Sequence, residues 1–195
     1  MVDSGKLHLT DVEMLRAMAH PLRLRILGSL RIDGPATSAS LARKLATDSG
    51  QTSHHLRLLA RYGFIEEATE LGKGAHGRER WWKASHVSTH FPENADELGP
   101  GGEEAVAAMD RAARRVWDEA IEAYRAQLAR REWSSAWRQA AGSGDGVIRT
   151  TPQRLEQLRA EVWRLINEYD MGEASGEDAE KVIVVVQAYP YRAAQ

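Results

Sequence analysis

The sequence predicts a mainly helical chain with a small β component, an α+β arrangement. Two patterns carry that expectation. Apolar residues recur every three or four positions through most of the 195 residues, and a short stretch at 64–84 reads instead as two strands around a glycine-rich tip. A third pattern, two strand-like runs flanking one more helical stripe, occupies the C-terminal third.

The first helix follows a Thr10 or Asp11 cap, where "TDVEMLRAMA" sets Leu15, Met18 and Ala19 at helical spacing. Pro21, in "HPLRLRILGSL", opens a second helix from its first turn. "DGP" breaks the chain. Thr37 or Ser38 then caps "ASLARKLA", and Leu41 and Leu45 give this third short helix a one-sided apolar stripe.

The fourth helix carries the most chemistry. Asp48 is a natural N-cap with Gln51 three residues on, a variant of the reciprocal capping pair, so the helix begins near Ser49. At about 100° per residue, Thr52, Leu56 and Leu59 fall in one stripe, the face to be buried. Gly50, Ser53, His54, Arg57 and Arg61 point away from it. The adjacent His54 and His55 therefore separate, His54 to the outer face and His55 to the edge of the stripe, where packing or a backbone bond is its expected role. Small polar residues followed by a histidine and arginines suit a helix laid in a DNA major groove. Small side chains permit close approach, polar ones meet base edges, and arginines reach phosphate or guanine. Ser49, Gln51, Ser53, His54, Arg57 and Arg61 are the expected DNA contacts on a helix spanning 49–62.

After Gly63, "FIEEATELGKGAHGRERWWKAS" predicts strands at 64–69 and 78–84, with Lys73, His76, Arg78 and Arg80 in or beside the tip. A basic hairpin directly after a reading helix is a wing, and Lys73, Arg78 and Arg80 join the expected DNA contacts.

Residues 11–84 resemble the winged helix-turn-helix of ArsR-type bacterial transcription regulators. The resemblance is carried by "AMAHPLRLRIL", by "TSHHLRLLARYGFIEE" with its Ser-x-His-Leu and Gly-hydrophobic exit, and by "GRERWW", in that order. It covers somewhat under half the chain. It implies a homodimeric, sequence-specific regulator of transcription, a repressor rather than an activator, acting on double-stranded DNA in the cytoplasm in association with the nucleoid. Many members sense metals through cysteines on the third helix or through His and carboxylate ligands on the last. This chain has no cysteine, and its seven histidines all lie at or before His90. The resemblance is thus to a larger, non-metal-sensing branch with a C-terminal extension. His86 and His90 have a four-residue separation that zinc sites use, but no third ligand is evident and Pro92 follows closely. No metal and no cofactor are expected.

Composition agrees with this division of labour. The net charge of −2 conceals an asymmetry, with thirteen basic against nine acidic residues up to His90 and thirteen against nineteen beyond it. A basic first half suits a polyanion, although many inert domains match so modest an excess. Without cysteine there is no disulfide framework, thiolate zinc site or thiol nucleophile. The start lacks a leader pattern, no run is long enough to cross a bilayer, and no membrane partner is expected. No Ser-His-Asp set, P-loop or dinucleotide fingerprint is present, which sets aside a ligand-processing enzyme. A protein-docking helix-turn-helix is the other alternative, and arginines beside a basic wing argue against it.

"FPENADELGPGG" reads as a linker at 91–102 between a DNA-binding domain, 1–90, and a C-terminal region, 103–195, for dimerisation and effector response. From 103 to about 140 a long helix is expected, with Met109, Ala113, Val116, Ala120, Tyr124 and Leu128 as an association face, or as a face packed on its own domain. Downstream, "DGVIRTT" is strand-like, Thr151 and Pro152 open a helix with a stripe of Leu155, Leu158, Val162, Leu165, Ile166 and Tyr169, and "KVIVVVQAY" is a strand. This predicts a strand-helix-strand unit in which 146–151 pairs with 181–189. Trp117, Trp133, Trp137 and Trp163 are candidates to line an apolar pocket for a small-molecule effector, with core or dimer contacts as the alternative.

Overall fold

The computed structural model describes residues 6–8, 11–71, 79–86, 88–90, 95–169 and 178–192. Helices α1 (Val12–Met18) and α2 (Pro21–Asp33) form where the spacing predicts them. Asp11 caps α1, its carboxylate accepting from the Met14 amide at 2.8 Å. His20 caps α2, with Nδ1 accepting from the Leu22 amide at 3.1 Å ahead of Pro21. Strand β2 (Ala36–Thr37) leads into α3 (Ser38–Lys44), where Thr37 and Ser40 form a reciprocal capping box. Helix α4 spans Ser49–Arg61 and ends at Gly63, whose φ of 73° is a left-handed conformation that glycine adopts without strain.

The hairpin of β3 (Ile65–Glu67) and β4 (Trp81–Ala84) is antiparallel, pairing Ile65 with Ala84 and Glu67 with Trp82. β2 adds to its other edge, Ala36 opposite Trp82, making a three-stranded sheet in the order β2-β4-β3. Two residues, the second of them a helix cap, gave no alternation from which to expect that strand. A separate parallel pair joins β1 (Lys6–His8) to β5 (Ser88–His90), also absent from the sequence reading. His86 precedes a strand rather than lying on a helix, so the four-residue spacing to His90 has no helical geometry.

Leu15, Met18, Ile26, Leu27, Leu41, Leu56, Leu59, Phe64 and Ile65 form the core, each 2% exposed or less. Arg31 straps α2 to the chain after the hairpin, donating to the His86 carbonyl at 2.8 Å and the Thr89 hydroxyl at 2.6 Å. Burial lowers its pKa to about 10, which still leaves it charged at neutral pH.

Helix α5 (Gly102–Ala129) departs from the expected separation at 91–102. A 3-10 turn at Ala95–Leu98 delivers the chain to Gly102, where an added Cβ would meet the Ala95 carbonyl oxygen at 2.6 Å. From there Ala105, Met109 and Ala113 join the core containing α1 and α2, and the first compact unit runs Met1–Ala129. The predicted helix to about 140 is also shorter in fact. Arg131, at φ 58°, breaks it, and Ser134 caps a separate α6 (Ser135–Ala140) through the Trp137 amide at 3.3 Å.

The second unit, Arg130–Gln195, contains α6 and α7 (Pro152–Tyr169). The helical part of the predicted strand-helix-strand unit is present; the strands are not. Residues 146–151 and 181–189 carry no ladder, and their side chains stay open, Val147 at 88% and Val182 at 65% exposure. β-branched composition supplies a preference for extended backbone but no partner, and without a partner edge there is no strand.

Candidate nucleic-acid interface

Helix α4 has one buried and one open face. Thr52, His55, Leu56 and Leu59 are 5% exposed or less, whereas Ser49, Gly50, Gln51, His54, Arg57 and Arg61 are exposed and Ser53 is half-buried. The helix start is fixed from several directions. The Asp48 carboxylate accepts from the Gln51 amide at 2.9 Å, the Thr52 hydroxyl donates to the Asp48 carbonyl at 2.8 Å, and Ser38 ties α3 to it by donating to the Ser49 carbonyl at 3.0 Å. Only half of the predicted capping pair forms. Gln51 accepts through Oε1 from the Thr47 hydroxyl at 2.7 Å, and its side chain is exposed. At Gly50 an added Cβ would approach the Asp48 carboxylate at 3.0 Å, so the smallest residue sits where the cap turns.

The arginines are spaced along the open face. Arg61, in the last turn, lies 5.9 Å from the Tyr62 ring centroid, which steadies a side chain at the helix exit. Arg43 and Lys44 end α3 nearby in sequence, Lys44 bonded to Asp33 and Arg43 exposed. Packing of α3 on α4 is the most extensive helix pairing of the unit, and it presents α4 as a rigid element rather than a loop.

The described part of the hairpin is less basic than its sequence suggested. Arg80 stands 3.9 Å from Glu67, and Lys83 lies 3.4 Å from both Glu66 and Glu70. Those glutamates hold the Lys83 pKa above its ordinary value, the Glu70 bond contributing most. Lys73, His76 and Arg78 lie outside the described residues. Arg80 is therefore a stem residue engaged across the hairpin, not a free cation at its tip.

His55 is sealed beneath α4, its ring 4.6 Å from that of His20 and 5.6 Å from that of His54, centroid to centroid. Its predicted packing role is what its burial shows. Sequence reasoning missed that His20, a helix cap, would be its partner; the only signal was a histidine directly before Pro21.

Of the expected association face on α5, Met109 at 3% and Ala113 at 8% exposure belong to the core of the first unit, because their positions face α1 and α2. Both leave the set. Val116, Ala120, Tyr124 and Leu128 are half-buried, and Ile121 is 42% exposed. Of the four tryptophans, Trp117 belongs to the first unit and the others to the second. Trp117 packs on the core of the first unit, Trp133 and Trp137 meet at 6.3 Å between centroids, and Trp163 on α7 is 40% exposed. A shallow groove in the second unit is lined by Ile148, Thr150, Arg154 and Leu158, with no tryptophan. Among the described residues, no group of three metal-ligating side chains converges and no helix is long and apolar enough to cross a membrane.

Helices α1 to α4, the last amphipathic and outward-presenting, followed by an antiparallel hairpin, define a winged helix-turn-helix fold. Residues 18–68 match a family model described as a helix-turn-helix domain. A search of curated proteins finds no match to the chain. Among solved structures the chain is similar to reduced HlyU from Vibrio cholerae N16961, at 24% identity over 53% of this chain and 84% of that one, with a TM-score of 0.33. It is also similar to a variant of Lactococcus lactis ZitR in apo form, at 15% identity over 78% and 84%, TM-score 0.31. A variant of S. aureus MepR bound to an oligodeoxyribonucleotide gives 17% identity over 78% and 77%, TM-score 0.26. At these scores whole chains superpose poorly, and the fold assignment rests on the element order and the matched domain.

Proposed function

We propose that this protein is a homodimeric, sequence-specific DNA-binding regulator of transcription, a repressor of the ArsR-like kind, acting in the cytoplasm on the nucleoid. The observation that carries the reading is the division of α4, whose inner face is core and whose open face offers Ser53, His54, Arg57 and Arg61 on a rigidly capped helix. In this reading Ser49, Gln51, Ser53 and His54 meet base edges near the helix N-terminus, Arg57 and Arg61 reach phosphate or guanine, and the hairpin lies against the flanking backbone. Lys73 and Arg78 supply further charge, with Arg80 in the stem. Two copies associate through Val116, Ala120, Tyr124 and Leu128 of α5. The operator is then an inverted repeat with half-site centres about 10 bp, or a multiple of that, apart. A small-molecule effector acts through the region beyond the hairpin.

A genomic DNA pull-down with the purified protein, followed by competition binding at two salt concentrations, tests this. The expected result is enrichment of a palindromic sequence whose affinity exceeds that for random DNA by a factor on the order of 1,000 or more. Uniform recovery of all sequences would sink the reading.

A further inference from the structure

We propose that His20, Arg23 and His55 form a binding site for a small anion, an oxyanion or a carboxylate, on the side of α4 away from its open face, with Arg115 adding positive charge from α5. The four side chains come from three helices: His20 caps α2 and Arg23 lies one turn into it, His55 is on α4, and Arg115 is on α5.

Two buried polar atoms there lack any partner. His55 is 5% exposed and its Nδ1 makes no hydrogen bond, and the Nε of Arg23 is likewise buried and unbonded. Orphaned buried groups of this kind are rare and call for a partner. The other end of Arg23 is fixed, since Nη2 donates to the Arg16 carbonyl at 3.0 Å, so Nε is held in place. His20 uses Nδ1 to accept from the Leu22 amide, which requires the neutral ring to carry its proton on Nε2, a further donor.

The charge around these groups is one-sided. Carboxylates on the packed helices are already engaged: Glu13 holds Arg16 at 2.9 Å on α1, and Glu119 on α5 lies 3.4 Å from Arg115 and 3.9 Å from Arg25. Arg23 and Arg115 act on His20, and His20, Arg23 and His54 act on His55, all in the same direction as burial, toward the neutral imidazole. An anion accepting from Arg23 Nε–H would remove that bias, and His55 would take up a proton from solvent at Nδ1 and become a second donor. Binding would tie α2, α4 and α5 together, and so connect the helix proposed for dimerisation to the helix proposed for reading DNA. A bridging water between Arg23 and His55 is the competing occupant.

The test uses the full chain without DNA, so its outcome is independent of whether the protein is a regulator. Histidine side-chain NMR spectra are followed while sodium phosphate, sodium sulfate or sodium acetate replaces chloride at constant ionic strength. The expected result is saturable movement of the His20 and His55 signals, with the apparent pKa of His55 rising by at least about one unit. Phosphate or sulfate acting alone identifies an oxyanion site, and acetate acting alone a carboxylate site. Arg23→Gln and Arg115→Gln should each weaken the response at least tenfold; Arg115 is largely solvent-exposed, so its variant keeps the fold intact even where the first does not. Absence of saturation, equal movement of all seven histidines, or an unchanged response in both variants overturns the proposal in favour of water.

Discussion

His20 and His55 meet with ring centroids 4.6 Å apart and planes tilted by 42°, joining the cap of α2 to the buried face of α4. His20 must be neutral to accept the Leu22 amide, and His55 has no acceptor for a second proton. Without a bound anion the contact is therefore one between unprotonated imidazoles.

Stability should follow that protonation. Burial, then His20, Arg23 and His54, lower the His55 pKa from 6.5 to about 4, and burial with Arg23 and Arg115 lowers that of His20. Between those values the unfolded chain binds more protons than the fold, so stability is full above about pH 6.5 and falls as pH drops toward 4. A fall in Tm on the order of 5 °C or more between pH 7 and pH 5 is expected by calorimetry. His55→Leu should flatten that slope while staying within about 1 kcal/mol of the parent at pH 7, because no hydrogen bond is lost at Nδ1. A variant with the same slope as the parent would assign the acid loss elsewhere.

The start of α4 depends on Asp48. Asp48→Ala removes the acceptor for the Gln51 amide and should cost about 1 kcal/mol, lowering Tm by roughly 3 °C. Asp48→Asn, which can still accept, should recover most of it. Under the proposed function the alanine variant also loses DNA affinity, since Ser49 to Ser53 lie in the turn that frays. Equal Tm values for all three proteins would show that Ser38 and Thr52 hold the turn without the cap.

The open face of α4 separates two kinds of DNA contact. Arg57→Ala should weaken binding to every sequence alike and reduce the slope of log K against log salt by about one. The Ser53→Ala/His54→Ala double variant should instead change which bases are preferred, at a cost of about 1–3 kcal/mol for the original operator. Fluorescence anisotropy against a set of single-base operator variants measures both. Retention of full affinity and selectivity by the double variant would remove these residues from the reading set.

What the sequence made legible was local periodicity and caps. Thr52, Leu56 and Leu59 could be phased against Ser53, His54 and Arg57 because a 13-residue helix repeats its geometry several times. Features set by distant partners were not legible. β2 is two residues long and exists through Trp81 and Trp82, some 45 positions away, and the pairing of His20 with His55 depends on how α2 crosses α4. The runs 146–151 and 181–189 show the converse, strand-forming composition without a ladder. Arg80 read as wing charge until the hairpin set Glu67 beside it.

Helix α5 offers a separation between folding and association. Met109 is 3% exposed in the core, so Met109→Ala should destabilise the fold by about 2–5 kcal/mol, visible as a lower Tm. Tyr124 and Leu128 lie beyond the stretch of α5 that supplies buried residues to the core, so charge there has little fold to disturb. Tyr124→Glu and Leu128→Glu should leave Tm nearly unchanged at concentrations where the protein is monomeric, yet shift its mass by light scattering from dimer to monomer. Operator affinity should then fall steeply, because two half-sites are no longer engaged by one assembly. A dimer that survives both substitutions would place the interface on another surface and remove Val116, Ala120, Tyr124 and Leu128 from it.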